Sequence, residues 1–336
     1  MNPFNYHRPT SVGEAVRLGS RSGARYIAGG TNLVDLMKEH VERPSQLIDL
    51  SKLPLGKIEE ADGGLRLGAL VPNADTAYDE RVAARYPLLS SAILAGASPQ
   101  LRNAATNGGN LNQRTRCYYF YDTETACNKR EPGSGCGAIG GVNRIHAILG
   151  ASDQCIATHP SDMCVALTAL DAVVNVSGPD GERQIPFADY HRLPGNEPWR
   201  DNHLKQGELV TSIDLPQGDF SANYTYLKLR DRLSYAFALV SVAVALKIED
   251  GKLADVRIAL GGVAHKPWRV PAAEALLNGQ AASKELFHQA AVRILDGAVG
   301  QGTNDFKIEL ARRAIARALA QAVAGTPQSQ TDKRIK

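Results

Sequence analysis

The polar segment Ala97-Ser98-Pro99-Gln100-Leu101-Arg102-Asn103-Ala104-Ala105-Thr106-Asn107-Gly108-Gly109-Asn110 mixes small residues with amides and a glycine pair. The two glycines permit positive φ angles and a close approach of a ligand to the backbone. Threonine and asparagine side chains supply hydrogen-bond donors and acceptors beside them. This composition is typical of a surface loop or of a turn that lines a ligand site.

Four of the five cysteines follow this segment and precede a second polar signal, Thr158-His159-Pro160-Ser161-Asp162-Met163. Cys117, Cys127, Cys136 and Cys155 have the spacing Cys-x9-Cys-x8-Cys-x18-Cys, without the close cysteine pairs that structural zinc sites usually show. Four thiolates can equally hold an iron–sulfur cluster. The spacing leaves a cluster, a zinc site and two disulfides open. Cys164, on the apolar face of a predicted helix, is interpreted as an inert core thiol.

Composition excludes several classes of protein. A chain of 336 residues predicts two or three packed units. Because 43% of the residues are hydrophobic, 22% are charged and the net charge is only +3, we expect no nucleic-acid partner. No apolar run is long enough to predict a membrane span. The first residues carry no apolar segment of a secretory signal, so we expect any export to depend on a signal carried by a partner.

The N-terminal region is predicted to form a strand, a turn, a helix and a second strand. Residues 25–28 are a short apolar run that Gly29 and Gly30 interrupt, and Thr31 or Asn32 can cap a helix over residues 33–41. Residues 46–50 return as a strand. Glycines at such a turn allow bare backbone N–H groups to hold a phosphate, although a glycine pair more often only makes a tight connection.

The remaining pattern predicts an α+β fold. Strands are predicted at residues 65–71, 172–176 and 208–215, and a buried helix begins after Ser161 or Asp162. Pro216-Gln217-Gly218 indicates a domain boundary. Beyond it, residues 222–229, 237–248 and 253–260 predict a three-stranded antiparallel meander, and helices that include residues 304–323 complete the chain.

Four of these motifs resemble the flavin-binding subunit of molybdenum hydroxylases, the group of xanthine dehydrogenase and carbon monoxide dehydrogenase medium subunits. They are Ala28-Gly29-Gly30-Thr31-Asn32-Leu33, Gly68-Ala69-Leu70, residues 102–110 and Ser161-Asp162, and they occur in the order of the family over nearly the whole chain. In most of the family the last two motifs lie close together. Here Asn110 and Ser161 are 51 positions apart.

The additional residues form an insertion that carries all four spaced cysteines. It is similar to the insertion in the flavin subunit of bacterial periplasmic aldehyde oxidoreductases and, more loosely, of hydroxybenzoyl-coenzyme A reductases, where it holds a [4Fe–4S] cluster. The resemblance therefore implies that Cys117, Cys127, Cys136 and Cys155 are the ligands of such a cluster.

The resemblance also implies a fold and domain boundaries. We expect a two-lobed FAD-binding domain of the p-cresol methylhydroxylase (vanillyl-alcohol oxidase) type over residues 1–221, with lobes at 1–56 and 57–221 and the iron–sulfur insertion at 112–156. A small α+β domain with the three-stranded sheet and helices is expected at 222–324, followed by a disordered tail at 325–336.

The matched motifs imply a set of cofactor-binding residues. The pyrophosphate of FAD is expected on the backbone of the first motif and against the second lobe. Asp162 would accept a hydrogen bond from a ribose or ribityl hydroxyl, Lys228 would stabilise the reduced flavin, and Tyr235 would cover one face of the ring. The full set is Ala28, Gly29, Gly30, Thr31, Asn32, Leu33, Ala69, Leu70, Thr106, Gly109, Asn110, Asp162, Lys228 and Tyr235.

The sequence contains no recognisable acid–base pair, catalytic triad or catalytic metal site, so we predict no catalytic residues. The resemblance implies an electron-transfer subunit of a heterotrimer. In that complex a large molybdenum-cofactor subunit oxidises an aldehyde to a carboxylic acid, a small subunit with two [2Fe–2S] clusters relays electrons, and FAD passes them to an external acceptor. The alternatives are a zinc- or disulfide-stapled binding module without flavin and a stand-alone flavin oxidase. The resemblance implies co-export to the periplasm, with the cytoplasm as the alternative.

Overall fold

The computed structural model describes residues 1–218, 220–330 and 332, and its N-terminal lobe contains the predicted strand–helix–strand unit. Strands β1 (Asn5–His7), β2 (Ala24–Ile27) and β3 (Gln46–Asp49) form a parallel sheet in the order β1-β3-β2, with helices α1 (Val12–Gly19) and α2 (Leu33–Lys38). β1 and α1 add to the predicted unit. Ser11 caps α1 by accepting a hydrogen bond from the Glu14 N–H at 3.3 Å, a local signal that the prediction missed.

The second lobe is built on a five-stranded antiparallel sheet. Its strands are β4 (Ile58–Ala61), β5 (Gly64–Gly68), β6 (Val173–Gly178), β7 (Gly181–Pro186) and β8 (Leu209–Leu215), in the order β4-β5-β8-β6-β7. The helices of this region are α3 (Asn73–Tyr78), α4 (Glu80–Arg85), α5 (Pro87–Ala95), α6 (Pro99–Ala104), α7 (Asn107–Leu111), α8 (Tyr118–Tyr121), α9 (Asp162–Ala169) and α10 (Phe187–Tyr190). Leu65, Val174 and Ile213 of the sheet join α5 and α9 in one core.

The C-terminal domain has an antiparallel sheet of four strands, one more than predicted. They are β9 (Tyr224–Leu229), β10 (Val240–Glu249), β11 (Lys252–Gly261) and β12 (Trp268–Arg269), in the order β12-β11-β10-β9, with helices α11 (Pro271–Leu277), α12 (Lys284–Ile294) and α13 (Phe306–Val323). Strand β12 has only two residues, too few for an alternating pattern. Across the described part of the chain, no helix has the length and apolarity to cross a membrane.

Strand β10 is buried on both faces and joins the two domains. Val242 and Val244 belong to the core of the C-terminal domain, whereas the alternate residues Ala243 and Ala245 belong to the core of the second lobe. Because alanine is small, α5 and α9 can pack directly on this face of the sheet. The C-terminal domain is therefore attached to the second lobe by a continuous apolar contact.

The predicted disordered tail is wrong for residues 325–330. The Gln328 N–H donates to Thr225 Oγ1 at 3.1 Å, and the Gln328 side-chain oxygen accepts the Lys228 N–H at 2.9 Å. Gln330 Nε2 donates to the Tyr226 carbonyl at 3.2 Å. The segment lies alongside β9. Because β9 is an edge strand, the backbone groups on its outer side are not paired with another strand of the described chain. Residue 331 and residues 333–336, also part of the predicted tail, lie outside the described residues.

Backbone and side-chain hydrogen bonds attach the insertion, residues 112–156, to the C-terminal domain. The N–H groups of Ile148 and Leu149 both donate to the Val263 carbonyl, at 2.9 and 3.0 Å. Asn143 Nδ2 donates to the Gln301 carbonyl at 2.6 Å. The insertion therefore packs against the C-terminal domain. These contacts fix the conformation of the insertion, which has few regular elements of its own.

Lys307, in the first turn of α13, is fully buried and has no acidic partner among the described residues. Its Nζ donates to the carbonyl oxygens of His146 at 2.7 Å and Gly262 at 2.5 Å. Burial, with a smaller contribution from Arg144, lowers the pKa of Lys307 to about 7. This lysine connects the insertion to the C-terminal domain. Its burial removes the hydration of the ammonium group, which disfavours the charged form.

We expect the substitution Lys307→Met to stabilise the protein at pH 7 and to lose part of that advantage by pH 10. The unfolded chain binds a proton on this lysine below its ordinary pKa of 10.5, but the folded chain does so only below about 7. Between these values the stability of the natural protein rises with pH, by at most about 1.4 kcal/mol per unit. Urea unfolding of both proteins at pH 7 and pH 10 measures the change.

Lys284→Met is the matched control because Lys284 is exposed at the start of α12. We expect it to change the free energy of unfolding by less than about 0.5 kcal/mol at either pH. An advantage of Lys307→Met that is equal at both pH values would contradict the lowered pKa.

Candidate functional site

The loop between β2 and α2 contacts the second lobe through bare backbone. A Cβ atom on Gly29 would lie 1.8 Å from the carbonyl oxygen of Ala104, so only glycine fits. Gly30, the next residue, has a φ of 70°, in the left-handed region. The structure therefore brings the first predicted motif, residues 28–33, against the motif at residues 102–110.

Asn32 tests whether this surface suits FAD. Its side-chain oxygen accepts a hydrogen bond from the Arg114 N–H at 2.9 Å. Its Nδ2 is buried and has no hydrogen-bond partner in the described part of the chain. A buried donor without an acceptor costs about 1–3 kcal/mol. A phosphate or hydroxyl oxygen would supply the missing acceptor, so the residues of this loop fit the cofactor.

Side chains from three helices fix the second-lobe motif. Thr106 caps α7 by accepting the Gly109 N–H at 3.3 Å. Asn110 donates from Nδ2 to Asn73 Oδ1 at 2.7 Å and accepts the Ser161 hydroxyl at 2.5 Å. Two motifs that the insertion separates by 51 positions are therefore in direct contact. Gly109 remains exposed at this turn.

Ala69 contacts the same turn, and Leu70 follows Ala69 in the chain. The Ala69 carbonyl accepts the Gly108 N–H at 2.8 Å, and the Leu70 N–H donates to the Leu55 carbonyl at 3.0 Å. A Cβ on Gly108 would lie 3.1 Å from the Ala69 Cβ. Ala69 is buried and Leu70 is partly exposed, so of the two only Leu70 has a side chain that a ligand can reach.

Asp162 and Lys228 form a buried ion pair with each other. Lys228 Nζ lies 2.7 Å from Asp162 Oδ2 and also donates to the Ala95 carbonyl at 3.1 Å. The Tyr226 hydroxyl donates to the other carboxylate oxygen at 2.7 Å. The two charged residues were predicted to have separate roles toward FAD. Their mutual pairing was not predicted, and those separate roles remain predictions.

Tyr235 lies in an exposed loop of the C-terminal domain. It has a φ of 50°, its side chain is 56% exposed, and its carbonyl accepts a hydrogen bond from Arg232 Nε at 2.9 Å. Nearby in the chain, Phe237 lies under the guanidinium of Arg116, 5.1 Å from its ring centre. The loop therefore contacts the insertion. Its predicted role over the flavin ring remains a prediction.

The four spaced cysteines line one small pocket in the insertion. Cys117, Cys127, Cys136 and Cys155 all contribute to it, whereas Cys164 does not. None of them forms a disulfide. Among the described residues, no three of the four sulfurs lie within 4.8 Å of one another. A tetrahedral zinc ion with Zn–S bonds of about 2.3 Å holds its sulfurs about 3.8 Å apart, so some of these sulfurs lie farther apart than the ligands of one zinc ion.

Two of these sulfurs have polar groups within hydrogen-bond distance. His146 Nε2 lies 3.1 Å from Cys117 Sγ, and the Ala157 N–H donates to Cys155 Sγ at 3.4 Å. Burial raises the pKa of Cys117 to about 12 and that of Cys155 to about 11. Without a cation these thiols keep their protons, and a bound metal must displace them. The donor set fits an iron–sulfur cluster, which carries the compensating charge.

The cysteine pocket is adjacent to the loop of residues 28–33. Leu36 of α2 packs in the same apolar cluster as Cys117, Cys127 and Cys155. Arg114, three residues before Cys117, donates its N–H to Asn32 at 2.9 Å. The two candidate cofactor sites therefore share one helix and one hydrogen bond.

A charge network around the buried Lys129 holds the insertion in this position. Asp201 lies 2.6 Å from Lys129 Nζ and 2.7 Å from Arg114 Nε, and Arg114 also pairs with Glu42 at 2.5 Å. Burial alone would raise the pKa of Asp201, but Lys129 and Arg114 hold it well below its usual range. Asp201 was not predicted from the sequence, because it lies in no motif and only its tertiary contacts distinguish it.

Family comparisons match almost the whole chain. A family model described as the FAD binding domain in molybdopterin dehydrogenase matches residues 2–218, and one described as the CO dehydrogenase flavoprotein C-terminal domain matches residues 224–322. The chain belongs to this family of FAD-binding subunits. The subunit is 51% identical over 327 residues to the aldehyde oxidoreductase FAD-binding subunit PaoB of Escherichia coli K12, which covers 96% of this chain and 99% of PaoB.

More distant relatives agree with the fold and with an oxidoreductase subunit. The FAD-binding subunit is 28% identical to the carbon monoxide dehydrogenase medium chain of Afipia carboxidovorans, over 95% of this chain and 98% of that one. Its structure is similar to a chain of carbon monoxide dehydrogenase from Hydrogenophaga pseudoflava, with a TM-score of 0.76 and 28% identity over 96% and 98% of the two chains. The predicted family and fold class are confirmed. The predicted domain boundaries remain predictions.

We expect Gly29→Ala to reduce the FAD content of the FAD-binding subunit and to destabilise it by about 1–3 kcal/mol, because the new Cβ overlaps the Ala104 carbonyl oxygen. Flavin absorbance per chain and urea unfolding measure the two effects. Gly13→Ala is the matched control, since a Cβ on Gly13 in α1 meets nothing within 4 Å. A Gly29→Ala protein with full FAD content would contradict the proposed contact surface.

We expect Asp201→Asn to destabilise the FAD-binding subunit by about 3–5 kcal/mol, because Lys129 is left buried without its anion. Asp180→Asn is the matched control. Asp180 is 80% exposed in its pair with Lys205, so its loss should cost less than about 1 kcal/mol. Equal destabilisation by the two substitutions, measured by urea unfolding, would refute a special role for Asp201.

Proposed function

We propose that this chain is the FAD-binding subunit of a molybdenum-containing aldehyde oxidoreductase, that it also holds a [4Fe–4S] cluster, and that it passes electrons from a [2Fe–2S] subunit through FAD to an external acceptor. The support for the aldehyde reaction is the 51% identity to PaoB, whose name includes aldehyde oxidoreductase, over nearly the full length of both chains. More distant relatives carry names of other reactions, such as carbon monoxide dehydrogenase.

The main support for the proposed cluster is one pocket that is lined by Cys117, Cys127, Cys136 and Cys155. Its thiols are unpaired, and some of them lie farther apart than the ligands of one zinc ion. A four-iron cluster spaces its thiolates farther apart than a single ion does, which agrees with this arrangement. His146 and the Ala157 N–H, close to two of the sulfurs, supply the kind of contacts that tune a cluster potential.

The residues that would hold FAD are the backbone of residues 28–33 and the turn that contains Thr106, Gly109 and Asn110. Bare N–H groups bind an anion without ordering a mobile side chain. Asn32 Nδ2 is a further donor without a partner in the described chain. When bound, FAD supplies the capacity to accept electrons and to release them to another acceptor.

Backbone and one hydrogen bond connect the two sites. Cys117 is joined through residues 115 and 116 to Arg114, whose N–H donates to Asn32. Arg114 is itself held by Glu42 and Asp201. The short connection supports electron transfer between the cofactors, and it equally supports a cluster that only stabilises the FAD loop.

Substrate oxidation is proposed to occur in another chain. Homologues carry the names medium chain or medium subunit, which agrees with a heterotrimer that has a large molybdenum-cofactor subunit and a small [2Fe–2S] subunit. We propose a periplasmic location reached by co-export with a signal-bearing partner, with the cytoplasm as the alternative. Turnover of an aldehyde by this chain without partners would instead favour a stand-alone flavin oxidase.

Anaerobic purification followed by an absorption spectrum and by iron, sulfide and zinc analysis tests the cofactors. We expect flavin bands and about four irons per chain. Cys127→Ser should lose the iron and keep FAD, because Cys127 lies in the insertion outside the FAD motifs. Asp153→Asn is the matched control, because Asp153 is an exposed residue of the insertion outside the cysteine pocket and its substitution should leave the iron content unchanged. Zinc without iron, or no flavin, would overturn the proposal.

The role of the cluster can be resolved in the assembled complex. Stopped-flow mixing with an aldehyde measures how fast the flavin is reduced in the natural protein and in Cys127→Ser that still holds FAD. Slower reduction in the variant supports electron relay through the cluster. Reduction at the normal rate would assign the cluster a structural role.

A further inference from the structure

Two histidines and the fifth cysteine form a buried group outside the cysteine pocket. One ring nitrogen each of His159 and His191 and the Cys164 sulfur all lie within 4.8 Å of one another. His159 precedes α9, Cys164 lies in the first turn of α9, and His191 directly follows α10. All three residues are at least 92% buried. We call these residues the His–Cys group.

Three of the four ring nitrogens of this group have no hydrogen-bond partner among the described residues. His191 Nε2 lies 2.9 Å from the Leu111 carbonyl, so the proton is on Nε2 and Nδ1 carries a lone pair. His191 Nδ1 and both ring nitrogens of His159 are buried without a hydrogen-bond partner in the part of the chain that is described. Buried polar atoms without partners are exceptions that require an explanation.

The neighbouring aromatic and histidine side chains of the described chain leave no free hydrogen-bonding group for the unpaired ring nitrogens. Phe187 and Tyr190 approach the His191 ring edge-on, at centroid distances of 5.6 and 4.9 Å. The Tyr190 hydroxyl is already bound to Asn112 at 2.8 Å. His265, on the side of the charge network, uses its two nitrogens for Arg192 and Lys129.

The charges that face the group leave its imidazoles neutral. Burial lowers the pKa of His191 to about 4 and the pKa of His159 well below its usual range. Asp201, the carboxylate that acts on both imidazoles, is neutralised by Lys129 and Arg114. A neutral imidazole presents the lone pair that a metal ion needs.

We propose that His159, His191 and Cys164 bind one Cu(I) ion. Two imidazoles and a thiolate are donors that both copper and zinc accept. No fourth His, Cys, Asp or Glu of the described residues joins the group. Cu(I) is satisfied by three ligands, whereas structural zinc takes four.

Charge also favours Cu(I) over zinc. Binding of Cu(I) replaces the proton of the Cys164 thiol, so one positive charge enters as one leaves and the buried site stays neutral. Zinc with a single thiolate would leave a net positive charge in the core, which burial disfavours. The bound ion would connect the end of the insertion to α9 and to the segment that leads to Asp201. No change of copper oxidation state is part of the proposal.

Anaerobic titration with Cu(I) in competition with a coloured Cu(I) chelator tests the site. The sample is the purified protein with its co-purifying subunits, after its FAD and iron contents have been determined. We expect one tightly held copper per chain, with two nitrogen and one sulfur neighbours in its X-ray absorption spectrum. Cys164→Ala should weaken retention by at least about 100-fold, since even the loss of a second-shell contact costs 10- to 100-fold.

His203→Gln is the matched control, because His203 is exposed and outside the group. It should retain copper as the natural protein does. If Cys164→Ala does not fold, the neighbours of copper in the natural protein and the loss of copper in His191→Gln decide the question.

The proposal would be overturned if no copper is retained, if Cys164→Ala does not weaken its retention, or if zinc binds in place of copper. A shell of sulfur neighbours alone would also overturn it, because the copper would then lie in the cysteine pocket. The test is separate from that of the proposed function. Failure of the FAD and cluster assignment appears in the flavin and iron analyses, and it leaves the nitrogen and sulfur neighbours of copper unchanged.

Discussion

Asp201 is the partly buried charge on which the arrangement of the two candidate cofactor sites depends. Its carboxylate is shared by Arg114, at the start of the insertion, and by Lys129, which lines the cysteine pocket. Arg114 extends the network to Glu42 in the first lobe. Because removal of Asp201 leaves the buried ammonium of Lys129 without its anion, the network strongly favours a single position of the insertion.

That position makes the two candidate cofactor sites neighbours. α2 presents the Gly29 loop at one end and packs Leu36 among the cysteines along its side. The insertion contributes the Arg114 N–H that donates to the Asn32 side chain. The loop proposed to hold the flavin and the loop proposed to hold the cluster are therefore in direct contact.

The C-terminal domain completes the arrangement through apolar contacts and buried polar ones. Alternate residues of β10 face two different cores, which ties the domain to α5 and α9. The backbone of residues 148 and 149 is held by Val263, and Lys307 donates to the carbonyls of the same region. These contacts explain how a segment with few regular elements of its own is ordered.

Sequence alone determined the strand–turn–helix at Gly29 and Gly30, the α+β class, the family and the four cysteines as a group. Local turn chemistry and hydrophobic period are properties of neighbouring residues, so they can be recognised without coordinates. Only the tertiary structure brought Lys228 to Asp162, Asp201 to Lys129, and the tail to the edge of β9. Those partners lie more than sixty positions apart. No local pattern encodes such contacts, because they arise from the packing of elements on one another.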